Sequence, residues 1–506
     1  MIKKIAKILL VSILCVMVLL ITSANYLQDS FGKVEFATVV YQLNSSLEGT
    51  NSEVIVQYIE QALVPAFFGI LLILFLLFGF GKIVKRLPIQ VDMDFFGLRG
   101  RYCFGNRLER YALLLGCSLF IIVIFTLKAR EVGIIEYIRD ITDVSLVFEE
   151  NYVEPDKVEL VFPKQKKNLI YIYLESMETT YASTEEGGGK KVNYIPNLTK
   201  VAKDNISFSQ GEQMNGLFQT SGAGWTMGAL LASTSGVPYL MPIDGNSSGD
   251  YDTILPGLTT LGEILEKEGY DNYFMCGSES VFGGRKAYFE QHGDYKIYDY
   301  DTAVEEAFIP ADYWEFWGIE DKKLYEYAKE KLTEIANEDE SFNFTMLTVD
   351  THHPEGYVCE LCGSEFGEQY ANVIRCADAQ IAEFLEWLEK QSWYASTVVV
   401  IQGDHTSMSN VFWEDLPENY ERGIYNCFMN TDKVPESEHR VATTLDMFPT
   451  TLAAIGVEIE GERLGLGTNL FSGIPTLAEK FEKNIFSDET AKYSRYYYDN
   501  FIKTAR

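Results

Sequence analysis

Acidic and histidine side chains follow three apolar segments of this sequence. Glu175 closes the run NLIYIYLE, Asp404 closes TVVVIQGD and is followed by His405, and DTHH at 350–353 ends a third run. Because ligands in open α/β sheets bind beyond the carboxyl ends of the strands, we expect these side chains to lie at one edge of one sheet. Carboxylate oxygens and imidazole nitrogens suit Mn²⁺, Mg²⁺ or Zn²⁺. Each position alone is a weak indication, but together they predict a metal and phosphate site.

Continuous apolar runs of strand length predict the sheet that positions these residues. They lie at 168–175, 270–276, 342–350 and 397–404, and helical stretches such as 372–390 separate them. Strands that are apolar on both faces are typical of a mostly parallel sheet covered by helices on each side. The sequence therefore predicts an α/β catalytic domain over residues 165–480. We expect a connector at 131–164 and a C-terminal tail at 481–506.

Three longer apolar runs lie near the N-terminus, at 8–24, 62–80 and 111–127, and none contains a charged side chain. Each is close to the length needed to cross a bilayer, which predicts three transmembrane helices in a membrane domain over residues 1–130. The alternative for the first run is a cleaved signal peptide, because three lysines precede it. Its length exceeds the usual apolar part of such a peptide.

Basic residues between the second and third runs predict the orientation in the membrane. Residues 25–61 are acidic and almost free of lysine and arginine. Since cytoplasmic loops carry the excess of basic residues, we expect the loop between the second and third runs to be cytoplasmic and everything after residue 127 to be extracytoplasmic. Lys128 and Arg130 oppose this assignment without reversing it. The basic residues of the loop are Lys82, Lys85, Arg86, Arg99, Arg101, Arg107 and Arg110.

Charge and cysteine content exclude some functions. The chain has 42 basic and 73 acidic residues, and its net charge of −31 opposes binding to nucleic acid. Cys359 and Cys362 form a CxxC sequence, for which we favour a small structural disulfide over a redox-active pair, with an uninvolved reduced pair as a further alternative. A zinc site would normally need a second matching pair, which the sequence lacks.

Six ordered segments resemble a known family. Over about residues 165–475 the chain is similar to the bacterial phosphoglycerol transferases that modify periplasmic glucans and, more distantly, to the lipoteichoic acid synthases. Both belong to the sulfatase-like group of the alkaline phosphatase superfamily, so the resemblance implies that fold. The segments are NLIYIYLESMETTY (168–181), SGAGWTMGALLAS (221–233), FGGRKAYFEQHG (282–293), DTHHPEGY (350–357), GDHTSM (403–408) and TLDMFPTTLAAIG (444–456).

The resemblance implies a role for each matching residue. Glu175, Asp404 and His405 match metal ligands of the family, and Thr226 in GAGWTMG matches its nucleophile, which is also a ligand. From the local segment alone, capping preference favours a helix N-cap over a nucleophile at Thr226, and the ordered Glu, Asp-His and Arg partners reverse this preference. Sulfatases need a Cys or Ser within C/S-x-P-x-R, and no such string surrounds Thr226. Sulfatase activity is therefore disfavoured.

Two further residues match substrate-binding positions of the family. Arg285 in FGGR and His352 in THHP resemble the residues that hold the phosphate and glycerol of the substrate. A planar guanidinium suits phosphate oxygens, although an arginine is also common in surface ion pairs. His352 could protonate a leaving oxygen or bond glycerol hydroxyls, and sequence alone does not separate its role from that of His353.

The resemblance implies a metal-dependent enzyme in the cell membrane. We expect Mn²⁺ as the metal, with Mg²⁺ or Zn²⁺ as alternatives. We expect the enzyme to move glycerophosphate from phosphatidylglycerol to a cell-surface glycan or polymer through a threonine-linked intermediate. The alternatives are a phosphoethanolamine transferase, a phosphodiesterase and a catalytically silent surface sensor.

Overall fold

The chain forms two compact units in a computed structural model. The N-terminal unit comprises residues 1–34 and 51–136, and the C-terminal unit comprises residues 35–50 and 137–506. The structure describes residues 2–31, 36, 39–40, 52–76, 90–95, 98–103, 107–211, 214–240, 253–338, 340–409, 411–413, 415–417 and 419–503.

Helices and one β-hairpin build the described part of the N-terminal unit. Among the residues described there, the segments Ile8–Ser30 and Val54–Leu74 are long and apolar enough to cross a membrane. The helices are Ile2–Phe31, Ser52–Tyr58 continued by a π-helix at Ile59–Leu63 and then Val64–Leu74, and Arg107–Glu131, while the hairpin pairs Gln90–Phe95 with Leu98–Cys103.

The three apolar runs agree with the structure to different extents. The first run lies within Ile8–Ser30, and the second overlaps Val54–Leu74 at residues 62–74, while residues 77–80 lie outside the described residues. The third run, 111–127, lies within the helix Arg107–Glu131, and its location in a membrane remains a prediction. Of the basic loop, Lys82, Lys85 and Arg86 also lie outside the described residues.

A six-stranded sheet forms the centre of the described C-terminal unit. We label its strands β1 to β6 in chain order, and they lie in the spatial order β3-β2-β4-β1-β5-β6. All neighbours are parallel except β5 and β6, which are antiparallel. The strands are β1 Asn168–Leu174, β2 Tyr270–Cys276, β3 Lys296–Tyr298, β4 Ser341–Leu347, β5 Thr397–Gly403 and β6 Asn426–Met429.

Side chains of β1 alternate between two apolar layers. Leu169, Tyr171 and Tyr173 enter one core, which includes residues of the helices Thr226–Ser235 and Met447–Ala454. Ile170, Ile172 and Leu174 enter the other, with the helices Asp321–Ile335 and Gln369–Glu389. Since successive side chains of a strand point to opposite faces, burial of both sets requires helices on both sides of the sheet. This is the fold of the alkaline phosphatase and sulfatase group.

Both ends of the C-terminal unit also pack into this structure. Phe148 lies in the first core with Tyr497 and Phe501, at ring-centroid distances of 5.4 and 6.1 Å. The segments that we expected to be a connector and a tail therefore contribute core residues. The remaining helices are Ile134–Thr142, Val147–Asn151, Pro196–Asp204, Leu261–Lys267, Arg285–Gln291, Tyr300–Glu305, Leu477–Phe481, Lys483–Ala491 and Arg495–Tyr497, and short strands pair Leu160–Val161 with Glu458–Ile459 and Arg463–Leu464 with Gly467–Thr468.

Candidate active site

Glu175 and Asp404 follow neighbouring strands at the same level of the sheet. The last residues of β1 and β5, Leu174 and Gly403, are register partners, so the next residue of each strand emerges at the same edge. Ligand atoms of Glu175, Asp404 and His405 all lie within 4.8 Å of one another, and all three residues are buried. The structure thus brings together the three residues that the strand ends indicated.

The carboxylate of Asp404 is hydrogen-bonded through only one of its two oxygens within the described part of the chain. Its Oδ1 accepts hydrogen bonds from the backbone N–H groups of Ser176 and His405, both at 2.7 Å. Its Oδ2 is buried and has no hydrogen-bond partner in the described part of the chain. Burial, together with the charge of Glu175, raises the pKa of Asp404 to about 7. An unpartnered buried carboxylate oxygen beside a second carboxylate is the arrangement that a bound cation would stabilise.

The imidazole of His405 presents one nitrogen to the two carboxylates. Its Nδ1 lies 3.0 Å from the carbonyl oxygen of Thr406, and only a protonated nitrogen can donate to that acceptor. Its Nε2 lies 3.4 Å from Asp404 Oδ2 and 3.6 Å from Glu175 Oε1. Burial opposes the charged imidazolium, but the two carboxylates outweigh burial and raise the pKa of His405. A tautomer fixed through Nδ1 leaves Nε2 as the metal-binding atom.

Thr226 lies at the start of a helix beside the same carboxylates. It is the first residue of the helix Thr226–Ser235, and its hydroxyl donates to Glu175 Oε2 at 3.4 Å. The N-cap is Trp225, which makes no capping hydrogen bond through its side chain, so Thr226 is not the capping residue. Backbone N–H groups in the first turn of a helix lack partners within the helix and favour negative charge nearby. The hydroxyl is therefore placed where an oxyanion would be stabilised.

A hydrogen bond between buried side chains connects this helix to β1. The hydroxyl groups of Tyr173 on β1 and Ser233 on the helix lie 2.7 Å apart, and both residues are fully buried. Because Tyr173 precedes Glu175 by two residues, this bond joins the element carrying Thr226 to the strand carrying its carboxylate neighbour.

Arg285 begins a helix after a tight glycine turn. Gly283 and Gly284 have φ values of +66° and +73°, a region that side chains with a Cβ rarely adopt. The buried guanidinium donates through Nε to the carbonyl of Phe282 and through Nη2 to Ser278 Oγ, both at 3.0 Å. Its Nη1 makes no hydrogen bond within the described chain. The side chain is thus fixed while one donor edge remains available to an anion.

His352 lies between aromatic residues and the charged groups of the site. Its ring centroid is 5.0 Å from that of Trp317 and 4.5 Å from that of His353. The pKa of His352 is lowered to about 4, mainly by burial and in part by the charges of His405 and Arg285, while a hydrogen bond to the His353 carbonyl and the charge of Asp404 oppose the shift. His352 is therefore neutral near pH 7. Burial also lowers the pKa of His353, whose side chain is more deeply buried than that of His352.

An ion pair between the buried Glu178 and the partly exposed Arg422 supports the loop after β5, and no sequence pattern indicated it. Arg422 donates to both carboxylate oxygens of Glu178, through Nε at 2.9 Å and through Nη2, and to the carbonyl of Ser407 at 2.7 Å. The amide of Ser407 in turn donates to Glu178 Oε1 at 2.8 Å. Ser407 follows His405 by two residues, so this pair fixes the loop that carries Asp404 and His405. The sequence contains no local sign of it, because the two partners are 244 positions apart.

Asp350 has a structural place in the fold. The carboxylate of Asp321 accepts from the backbone amides of Val349 and Asp350 at 2.7 and 3.2 Å, and the amide of Asp321 donates to Asp350 Oδ1 at 3.0 Å. Burial raises the pKa of Asp321 to about 7. These three hydrogen bonds anchor the start of the loop that carries His352 to the helix Asp321–Ile335.

Comparisons with known proteins find related sequences. A family model described as Sulfatase matches residues 167–457. Phosphoglycerol transferase I from Salmonella choleraesuis (strain SC-B67) is 30% identical over 338 residues, which are 65% of this chain and 42% of that protein. Phosphoglycerol transferase I from Escherichia coli (strain 55989 / EAEC) is 28% identical over 332 residues, or 64% and 41% of the two chains. The chain thus spans about two fifths of these curated relatives.

Solved structures are similar at lower identity. The lipoteichoic acid synthase LtaP from Listeria monocytogenes is 20% identical, with 62% of this chain and 79% of that chain covered and a TM-score of 0.49.

Proposed function

Because this chain belongs to the sulfatase family, we propose that it is a metal-dependent phosphotransferase with Thr226 as its nucleophile. The observation that carries the proposal is the position of the Thr226 hydroxyl, at a helix N-terminus and 3.4 Å from the carboxylate of Glu175. A threonine at this position, without the C/S-x-P-x-R string, supports phosphoryl chemistry over sulfate-ester hydrolysis. A silent sensor is disfavoured because the side chains needed for turnover are assembled.

Glu175, Asp404 and His405 would hold one divalent ion. Two carboxylates and one imidazole fit Mn²⁺ or Mg²⁺ best, with Zn²⁺ as a further candidate. Such an ion supplies positive charge that favours the threonine alkoxide and offsets the charge on a phosphate oxygen. The unpartnered Oδ2 of Asp404 supports this assignment.

Thr226 would carry the transferred group between two displacements. In the first, its oxygen attacks the phosphorus of a phospholipid, the bond from phosphorus to the diacylglycerol oxygen breaks, and the threonine proton ends on that oxygen. In the second, an acceptor hydroxyl attacks phosphorus, the bond to Thr226 breaks, and the acceptor proton returns to the threonine. First-turn backbone N–H groups of the Thr226–Ser235 helix would stabilise the phosphate charge in both steps.

Arg285 and His352 would position the substrate. The free Nη1 edge of Arg285 suits a phosphate oxygen, because the other nitrogens are already held by Phe282 and Ser278. A neutral His352 can accept a proton from the attacking acceptor or bond the glycerol hydroxyls.

We assign phosphatidylglycerol as the donor and a surface glycan or polymer as the acceptor. This rests on the two relatives named phosphoglycerol transferase I and on the two apolar N-terminal segments, which suit an enzyme that takes its donor from a bilayer. The catalytic domain would face outward, because the basic residues concentrate between 82 and 110.

Lipid turnover tests the nucleophile and the donor together. The full chain in detergent with Mn²⁺ should release diacylglycerol from phosphatidylglycerol, and should do so faster than from phosphatidylethanolamine. Thr226→Ala should reduce release to background, Thr226→Ser should retain part of it, and the exposed Thr184→Ala serves as a matched control. Without acceptor, a glycerophosphoryl adduct should form on the peptide containing Thr226. Comparable release by folded Thr226→Ala, or an adduct elsewhere, would refute the assignment.

Accessibility of the chain in spheroplasts tests the orientation. A cysteine placed at residue 300 should react with a membrane-impermeant thiol reagent, whereas one placed at residue 85 should not. Protection of residue 300 in intact spheroplasts would reverse the topology.

A further inference from the structure

Three cysteines meet on the far side of the His352 loop. Cys359 and Cys362 follow that loop, and Cys376 lies on the helix Gln369–Glu389. The Sγ atom of Cys359 is 3.7 Å from that of Cys362 and 3.6 Å from that of Cys376, and all three Sγ atoms lie within 4.8 Å of one another. All three are free thiols, so the disulfide expected from CxxC is not formed in the structure.

The sulfur separations match the geometry of a metal–thiolate site. A disulfide needs about 2.05 Å between sulfurs, far shorter than the observed distances. Four thiolates at about 2.3 Å from zinc in a tetrahedron lie roughly 3.8 Å from each other. Two edges of the cluster, at 3.7 and 3.6 Å, have this length. Cys359 and Cys362 also have the C-x₂-C spacing common in zinc sites.

A buried glutamine closes another side of the cluster. Gln380, one helical turn after Cys376 and 6% exposed, directs Nε2 to Cys376 Sγ at 3.4 Å and to Cys359 Sγ at 3.8 Å. Its Oε1 is buried without a hydrogen-bond partner in the described chain. N–H donors stabilise thiolates, and rotating the amide by half a turn would direct its oxygen to the sulfurs instead. Either orientation directs a polar group into the space bounded by the thiols.

We propose that Cys359, Cys362 and Cys376 bind one zinc-class ion, with the Gln380 amide on the fourth side. Binding releases the thiol protons and forms three metal–sulfur bonds without oxidation or reduction. Soft thiolates favour zinc over Mn²⁺ or Mg²⁺, whereas the carboxylate and imidazole set of the active site favours Mn²⁺ or Mg²⁺. The ion would join the loop carrying His352 to the Gln369–Glu389 helix. This inference does not depend on the proposed transferase activity.

Cobalt substitution distinguishes this site from the active site. Addition of Co²⁺ to the reduced full chain in detergent should produce an intense sulfur-to-cobalt charge-transfer band, which the active-site ligands cannot give because they include no sulfur, and Zn²⁺ should abolish it. Cys376→Ser should weaken this binding at least tenfold. Glu175→Gln and Cys427→Ser, which alters a buried free cysteine outside the cluster, should leave the band intact. Cys362→Ser provides a second test at a less buried position, if Cys376→Ser does not fold.

The state of the thiols in the isolated protein gives an independent measurement. In the folded protein, zinc should protect these three cysteines from alkylation. It should not change the alkylation of Cys427. Peptide mapping that finds a disulfide among the three in protein purified without reductant, or the absence of a charge-transfer band in the reduced protein, would overturn the proposal.

Discussion

Replacing Arg422 by methionine should destabilise the C-terminal unit because it leaves a buried charge behind. Glu178 has no exposed side-chain surface, and Arg422 is its cationic partner. The carboxylate would keep two donors, the hydroxyl of Thr180 at 2.6 Å and the amide of Ser407 at 2.8 Å. Breaking a buried ion pair from one side costs about 3 to 5 kcal/mol, and the two remaining donors place this case near 3 kcal/mol.

Replacing the acidic partner should reduce the stability less. Glu178→Gln leaves a guanidinium whose side chain is 26% exposed, so water can solvate part of its charge. The double variant lacks both charges and should be more stable than the sum of the single effects predicts. Arg495→Met is a matched control, since the side chains of its pair with Asp499 are 83% and 42% exposed and an exposed ion pair contributes little to stability.

Urea unfolding of the full chain in detergent, followed by tryptophan fluorescence, measures these differences. Mn²⁺ affinity adds a second readout, because Arg422 also holds the Ser407 carbonyl in the loop that carries Asp404 and His405. We expect Arg422→Met to weaken Mn²⁺ binding and Arg495→Met to leave it unchanged. A stability loss below about 1 kcal/mol for Arg422→Met, or strict additivity in the double variant, would contradict the role assigned to the pair.

Three further outcomes follow from the site and the fold. Arg285→Lys keeps the charge but loses the planar fork, so kcat/KM for diacylglycerol release should fall by about 10- to 100-fold; an unchanged value would exclude phosphate binding by Arg285. Exhaustive chelation should abolish activity and Mn²⁺ should restore it, whereas full activity with no metal in elemental analysis would refute a metal site. Burial raises the pKa of Asp378 from 3.8 to about 6, so its contribution to stability is complete below pH 3.8 and is lost as the pH rises through 6. Asp378→Asn should therefore reduce the stability difference between pH 4 and pH 7 by up to about 3 kcal/mol in urea unfolding; an unchanged difference would show that this carboxyl does not titrate as stated.

The central sheet could be predicted because its strands are apolar without interruption. Strands β1, β2 and β5 lie within one residue of the predicted runs, and the α/β class and the resemblance to phosphoglycerol transferases are confirmed. Strand β4 ends at Leu347, three residues before the predicted end at Asp350. The amides of Val349 and Asp350 bond to the carboxylate of Asp321 and not to a neighbouring strand, and sequence periodicity does not show this competition.

Contacts between distant segments could not be predicted. Glu178 and Arg422 resemble ordinary surface charges in the sequence, since only folding brings them together. Cys376 lies on the helix Gln369–Glu389, so its proximity to Cys359 and Cys362 depends on how that helix packs. The ligands at the strand ends could be predicted, because parallel strands place their carboxyl ends at the same edge of the sheet however the connecting segments fold.

The hydrogen bond between Tyr173 and Ser233 restricts which elements of the site can move during turnover. It joins the Thr226 helix to β1 inside a buried layer, so we expect Thr226 and Glu175 to move together. Separating this helix from β1 would expose the core. We therefore do not expect a lipid to exchange with an acceptor between these two elements. We expect the passage of substrates to depend instead on the turn before Arg285, where Gly283 and Gly284 have positive φ values.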